Sequence, residues 1–111
     1  MLVVIYRWRL EPGLEQDFVV NWQRITTRGL AAGSGGSSLF KTKDGTWVAI
    51  ARWPSREARD RFFGQMDGND AESGMAERAR LAVIERLPVE ELDSVLDCWA
   101  PFSETTRAPG S

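Results

Sequence analysis

Residues 2–10 read Leu-Val-Val-Ile-Tyr-Arg-Trp-Arg-Leu, and this stretch decides the fold. β-Branched and aromatic residues dominate it, which suits a pleated strand. Side chains alternate between the two faces of a strand. Val4, Tyr6, Trp8 and Leu10 fall on one face, and Val3, Ile5, Arg7 and Arg9 on the other. Both faces are apolar toward the N-terminal end, where a strand wet on one side would show a cleaner contrast. Each face therefore needs a cover.

Downstream, Glu11-Pro12-Gly13 breaks the strand. Leu14, Phe18, Trp22 and Ile25 recur at helical spacing and predict a helix over about residues 14–30. Asn21 adjoins Trp22 but falls somewhat off that stripe. A glycine-bearing loop follows over 31–38. The runs 38–42 and 46–53 flank Lys43-Asp44-Gly45, and Asp-Gly between two such runs predicts a hairpin. In its second strand Trp47, Ala49, Ala51 and Trp53 share one face, with Val48, Ile50 and Arg52 on the other.

Pro54 ends that strand, and Ser55 is placed to cap a second helix reaching about Met66. Ala58, Phe62 and Met66 line its buried side, Phe63 is adjacent, and Glu57–Arg61 has the order of an i,i+4 pair. Asp67-Gly68-Asn69-Asp70 is a break. A third helical stretch is predicted over 75–86, with Met75, Ala79, Ala82 and Val83 on one side, stopped by Pro88. A last strand is expected within 92–99, and residues 103–111 read as a flexible tail after one domain over 1–102.

The order β-α-β-β-α-β is the ferredoxin-like pattern, an α+β sandwich with helices on one face of an antiparallel sheet. Its other face would expose Val3, Ile5, Val48 and Ile50 in a lone chain. A patch of that kind marks an interface, so a homodimer through the sheet face is expected.

Composition narrows the function. The chain has 111 residues, 42% hydrophobic and 27% charged, which fits one globular domain and excludes disorder over its whole length. Fourteen basic residues are interspersed with sixteen acidic ones, for a net charge of −2. No basic stripe marks a nucleic-acid surface, and Thr46-Trp47-Val48-Ala49-Ile50 lacks the aromatic signature of an RNA recognition motif. The apolar run from Leu2 to Tyr6 is too short to cross a bilayer and lacks the layout of a signal peptide. Cys98 has no second cysteine to pair with, so a cytoplasmic location is expected.

There is no histidine, which removes His-based triads, His metal sites and proximal-His haem ligation. The acidic loop after Asp67 has Arg78 where a calcium loop needs its glutamate, and Gly33, Gly35 and Gly36 open no phosphate loop. Cys98 is expected in a strand as an inert small hydrophobe. Glu90-Glu91 reads as a solvated pair. Arg7, Arg9 and Arg52 are expected to pair with carboxylates such as Asp93 or Asp97.

The aromatic residues suggest a site. Tyr6, Trp8, Trp47 and Trp53 share the helix-facing side of the strands, and Phe18 and Trp22 come from the helix covering them. Phe62 and Met66 approach from the second helix. Ala49 and Ala51, small between large neighbours, leave a hollow that a flat aromatic ligand fits. The same residues also suit a plain filled core, and both readings stand at this point. Tyr6 offers a phenol, and the Trp22 and Trp53 indoles need hydrogen-bond partners if buried.

At Tyr6-Arg7-Trp8-Arg9-Leu10-Glu11-Pro12-Gly13-Leu14-Glu15, and again at Asp44-Gly45-Thr46-Trp47-Val48-Ala49-Ile50-Ala51-Arg52-Trp53-Pro54-Ser55, the chain resembles the antibiotic biosynthesis monooxygenase (ABM) domain family over about residues 1–102. The resemblance implies a dimeric α/β barrel with a cleft between sheet and helices in each protomer. Some members oxidise polycyclic aromatic phenols to quinones with molecular oxygen and without metal or flavin. The substrate loses a proton, and its own carbanion reduces oxygen. By that resemblance the chain is a cofactor-independent monooxygenase of a small aromatic or quinone-like compound. Tyr6, Asn21 and Trp53 are then the candidates for catalysis, with the base unassigned. Haem-degrading relatives use an Asn where Tyr6 stands and a His that this chain lacks. The alternative is a non-catalytic small-molecule-binding or dimerisation domain on the same scaffold.

Overall fold

The computed structural model describes residues 1–67 and 77–98. Strand β1 spans Leu2–Leu10, helix α1 Glu15–Ala31, β2 Ser37–Lys41, β3 Trp47–Trp53 and helix α2 Arg56–Asp67. Residues 77–81 are helical, and β4 (Val83–Arg86) and β5 (Glu90–Asp93) follow. The sheet is antiparallel in the order β2-β3-β1-β4, with β5 also paired to β1. This is the expected α+β, ferredoxin-like arrangement with its fourth strand in two pieces.

The alternation in β1 is realised as a two-layer core. Leu2, Val4, Trp8 and Leu10 are buried on the helix side, against Phe18 and Ile25 of α1, Trp53 of β3 and Phe62 of α2. On the opposite face Val3 and Ile5 stay half-buried in the single chain. The hairpin forms where Asp-Gly predicts it. Gly45 takes φ +88°, a conformation open to a residue without Cβ, and the Thr46 amide donates to Asp44 Oδ1 at 3.1 Å. Ser55 caps α2 by accepting from the Ala58 amide at 3.1 Å. Glu57 and Arg61 are exposed on α2 and do not pair.

The C-terminal third departs from the sequence reading. The helical stretch predicted to Arg86 ends at residue 81, and Val83–Arg86 is strand β4. Val83 lies opposite Leu10, and Arg86 opposite Trp8. The β-branched pair Val83-Ile84 prefers that ladder to another helical turn before Pro88. The last strand also begins earlier than expected, at Glu90, and ends at Asp93. Glu90-Glu91 is therefore part of the sheet, and Cys98 is exposed and outside any strand.

Between the Trp8–Arg86 and Ile5–Glu90 pairs, three residues, Leu87 to Val89, face two, Tyr6 and Arg7. That is a one-residue bulge on an edge strand, where proline is tolerated because no ladder hydrogen bond is lost. The Leu87 amide still donates to the Arg7 carbonyl at 3.0 Å.

The basic residues of the outer face are paired. Arg7 bonds Glu90, Arg9 meets Glu85 at 3.4 Å, and Arg52 meets Asp97 at 3.7 Å. Asp93 is taken instead by Arg56 of α2, at 3.3 Å. Among the described residues no helix is long and apolar enough to cross a membrane. Gly68, Asn69, Asp70, Met75, Trp99 and the tail over 103–111 lie outside the described residues, as does the side chain of Met66.

Candidate functional site

β1 and α1 build an aromatic wall between sheet and helices. Tyr6 and Trp8, two apart on one face of β1, stack with ring centroids 5.6 Å apart. Trp22 of α1 meets both edge-on, at 5.7 and 5.0 Å, and Phe18 meets Trp8 edge-on at 5.0 Å. Offset and edge-to-face pairs are the favoured arrangements of such rings. A second set, Trp53, Phe62 and Phe63, packs together at 5.2–6.2 Å.

Two hollows flank this wall and share Tyr6, Trp22, Ile25 and Phe63. The larger, about 270 Å³, continues past Trp8 and Phe18 to Val83, Arg86 and Val89. That volume sits just below the roughly 300–1,000 Å³ of ordinary small-molecule pockets. The smaller, about 30 Å³, lies toward Gly29, Ala51, Trp53 and Phe62. Arg86, in register with Trp8, and Val89, within the bulge, both border the larger hollow.

The polar groups are few. Burial pushes the Tyr6 phenol above its usual 10.0; Arg59 opposes this, Glu91 adds to it and Arg86 opposes it. The group is therefore a neutral hydrogen-bond donor across the physiological range. The Trp22 indole donates to Ser37 Oγ at 3.1 Å, and Ser37 Oγ pairs with Thr26 Oγ1 at 2.7 Å. Behind Tyr6, Arg59 of α2 bonds Glu91 of β5 and reaches Asp60 at 3.0 Å. That bond is the chief reason the Glu91 carboxyl sits below its usual range. Arg86 forms no ion pair among the described residues.

Of the residues expected from sequence, Tyr6, Trp8, Phe18, Trp22, Ala51, Trp53 and Phe62 line one hollow or the other. Ala49 is fully buried, and Trp47 is half-buried with the Lys41 ammonium 5.3 Å from its ring; neither borders a hollow. Asn21 lies apart from both. It is 5% exposed, its Nδ2 donates to the Asp17 carbonyl at 2.8 Å, and its Oδ1 is buried without a partner among the described residues. Val83, Arg86 and Val89 are site residues that the sequence does not single out, because a segment with helical periodicity up to Pro88 carries no sheet parity. The signal was there in Val83-Ile84 ahead of Pro88.

With the geometry in place, comparison with solved structures decides the kind of fold. Rv0793 from Mycobacterium tuberculosis matches 88% of this chain and 98% of its own, with a TM-score of 0.69 at 19% identity. A structure described as an antibiotic biosynthesis monooxygenase matches 86% of this chain and all of its own, with a TM-score of 0.68 at 18% identity. This chain has the antibiotic biosynthesis monooxygenase domain fold. SnoaB, a cofactor-independent oxygenase from Streptomyces nogalater, shares the ABM fold too; it matches 87% of this chain and 95% of its own, with a TM-score of 0.69 at 14% identity. No sequence-family model and no curated protein sequence matches the chain, so the ABM likeness is carried by three-dimensional structure.

Proposed function

We propose that the chain is a cofactor-independent oxygenase of a small aromatic phenol or hydroquinone-like compound, bound in the larger hollow. The carrying observation is the aromatic-walled space of about 270 Å³ with one half-buried neutral phenol and, at its border, the Arg86 guanidinium, which forms no ion pair among the described residues. The volume favours one or two rings over a longer polycycle. The flat guest lies along the Tyr6–Trp22 wall, and the Tyr6 hydroxyl donates a hydrogen bond to its oxygen. The Arg86 cation favours the deprotonated form of the guest, which is the electron-rich species that reduces oxygen. The protein's part is orientation, a drier surrounding and charge stabilisation. The fold shared with SnoaB, itself a cofactor-independent oxygenase, supports this reading.

The outer face supports a homodimer as the working unit. Val3, Ile5, Val48 and Ile50 are half-buried there, and Phe40 and Leu92 are 50% and 43% exposed. Sedimentation as a two-chain species supports this; a stable single chain at high concentration opposes it. The oxygenase reading is tested by oxygen uptake with a panel of anthrones and hydroquinones. Uptake above the protein-free rate, matched by a product that carries an oxygen atom from isotopically labelled dioxygen, supports it; a hydroquinone merely dehydrogenated to its quinone does not. Quenched tryptophan fluorescence with no oxygen consumed across the panel opposes it and leaves a binding domain on the same scaffold.

A further inference from the structure

The smaller hollow, about 30 Å³, has no role in holding an aromatic ring. Two of the smallest residues, Gly29 of α1 and Ala51 of β3, line it together with Trp53 and Phe62. Its volume exceeds the roughly 10–15 Å³ that one water-sized guest needs. Its hydroxyls already make hydrogen bonds within the protein. Ser37 Oγ is shared by the Trp22 indole and Thr26, and Ser34 Oγ accepts from the Gly36 amide at 2.8 Å. A trapped water wants two to four polar partners, and the accessible lining here is mostly carbon. Apolar cavities in protein interiors take apolar guests such as xenon.

We propose that this annex is a binding site for dioxygen, a small apolar diatomic, held across the Tyr6–Trp22 wall from the aromatic guest. The proposal rests on the oxygenase reading, because an oxygen-consuming reaction is what gives the annex a use. Tyr6, Trp22, Ile25 and Phe63 border both spaces, so a molecule in the annex is one side chain from the guest's ring. Holding the second reactant there raises its local concentration beside the electron-rich ring.

Gly29→Ala tests this with little disturbance. A Cβ at Gly29 would lie 3.5 Å from Ser34 Cβ and Oγ and 3.7 Å from Trp53 Cη2, ordinary van der Waals distances, so the methyl enters the annex without a clash. Alanine also suits a helix better than glycine does. Gly29 does not border the larger hollow. Crystals of the parent protein under xenon should show a peak between Gly29, Ala51 and Trp53, and crystals of Gly29→Ala should not. In turnover, Gly29→Ala should raise KM for oxygen severalfold while KM for the aromatic holds. An annex without xenon in the parent protein overturns the proposal, as does an unchanged oxygen KM in an active Gly29→Ala enzyme. Absence of turnover across the whole panel removes the oxygenase reading, and the role for oxygen with it. Turnover with an empty annex removes this proposal alone.

Discussion

The Tyr6 ring lies parallel to that of Trp8, with planes 4° apart and centroids separated by 5.6 Å. This follows from β-strand geometry, since residues two apart point the same way. Trp22 closes on both rings edge-on. The result is a stiff aromatic surface that belongs to the core on one side and to a hollow on the other. Core and site are thus built from the same residues.

Tyr6 is the one tyrosine of the chain, so its titration can be read directly from phenolate absorbance. Burial raises its pKa, and the midpoint should therefore lie above 10.0. The linkage sign follows. Above pH 10 the unfolded chain loses this proton before the folded one does, so stability falls as pH rises from there. A midpoint at or below 10 would show the phenol to be solvated. Tyr6→Phe should abolish the transition, keep the fold and weaken binding of a phenolic guest.

Arg86 gives a charge-specific prediction. Arg86→Met keeps an apolar stem at the border of the hollow and removes one of its two guanidinium groups, leaving Arg80, which pairs with Glu77 at 3.2 Å. Affinity for an ionised aromatic should drop about tenfold, in line with the roughly 1.5–3 kcal/mol of a charged hydrogen bond. Affinity for a neutral isostere should change little. Isothermal titration with the two ligands separates these outcomes, and equal losses for both would point to packing.

Glu91 joins α2 to β5 through Arg59 and Arg56, at 3.4 Å in the second case. Its pKa is lowered, first by the Arg59 hydrogen bond, so its contribution is present above the ordinary carboxylate range and is lost as pH falls through the folded value. Glu91→Gln should lower the melting temperature at neutral pH. The gap from the parent protein should close in acid, where the parent carboxyl is protonated as well. A gap that stays constant with pH would remove the ion pair from the account.

Two substitutions in α1 should act in opposite directions. Phe18 is 1% exposed beneath Trp8 and Trp22, so Phe18→Ala should cost about 3–5 kcal/mol of stability. Among the described residues the buried Asn21 Oδ1 has no partner. Asn21→Leu removes that unsatisfied acceptor and should stabilise by about 1 kcal/mol, with oxygen uptake unaffected because Asn21 borders neither hollow. Urea unfolding measures both. Loss of turnover in a stable Asn21→Leu protein would return Asn21 to the reacting centre.

Much of this was legible in the residues. The two-faced β1, the Phe18–Ile25 stripe, the Asp44-Gly45 turn and the Ser55 cap are local signals, and each appears in the structure. Two things were hidden. Ala79, Ala82 and Val83 fit a helical face as well as they fit a turn followed by a strand, and the register with Leu10 and Trp8 decided between them. Pairing of that kind is a tertiary fact that no short window contains. The bulge at Pro88 was hidden for the same reason, as was the approach of Arg86 and Val89 to the hollow. The aromatic half of the site was read from parity, and its charged border was not.

The central claim is that the space beside Tyr6 receives a flat aromatic guest. It is tested most directly by a crystal structure of the protein soaked with the tightest-binding hydroquinone of the panel. The account predicts density for its ring between Trp22 and Val89, with its oxygen at hydrogen-bond distance from the Tyr6 hydroxyl. Density on the outer sheet face or elsewhere on the protein, with the Tyr6 hollow empty, would contradict it.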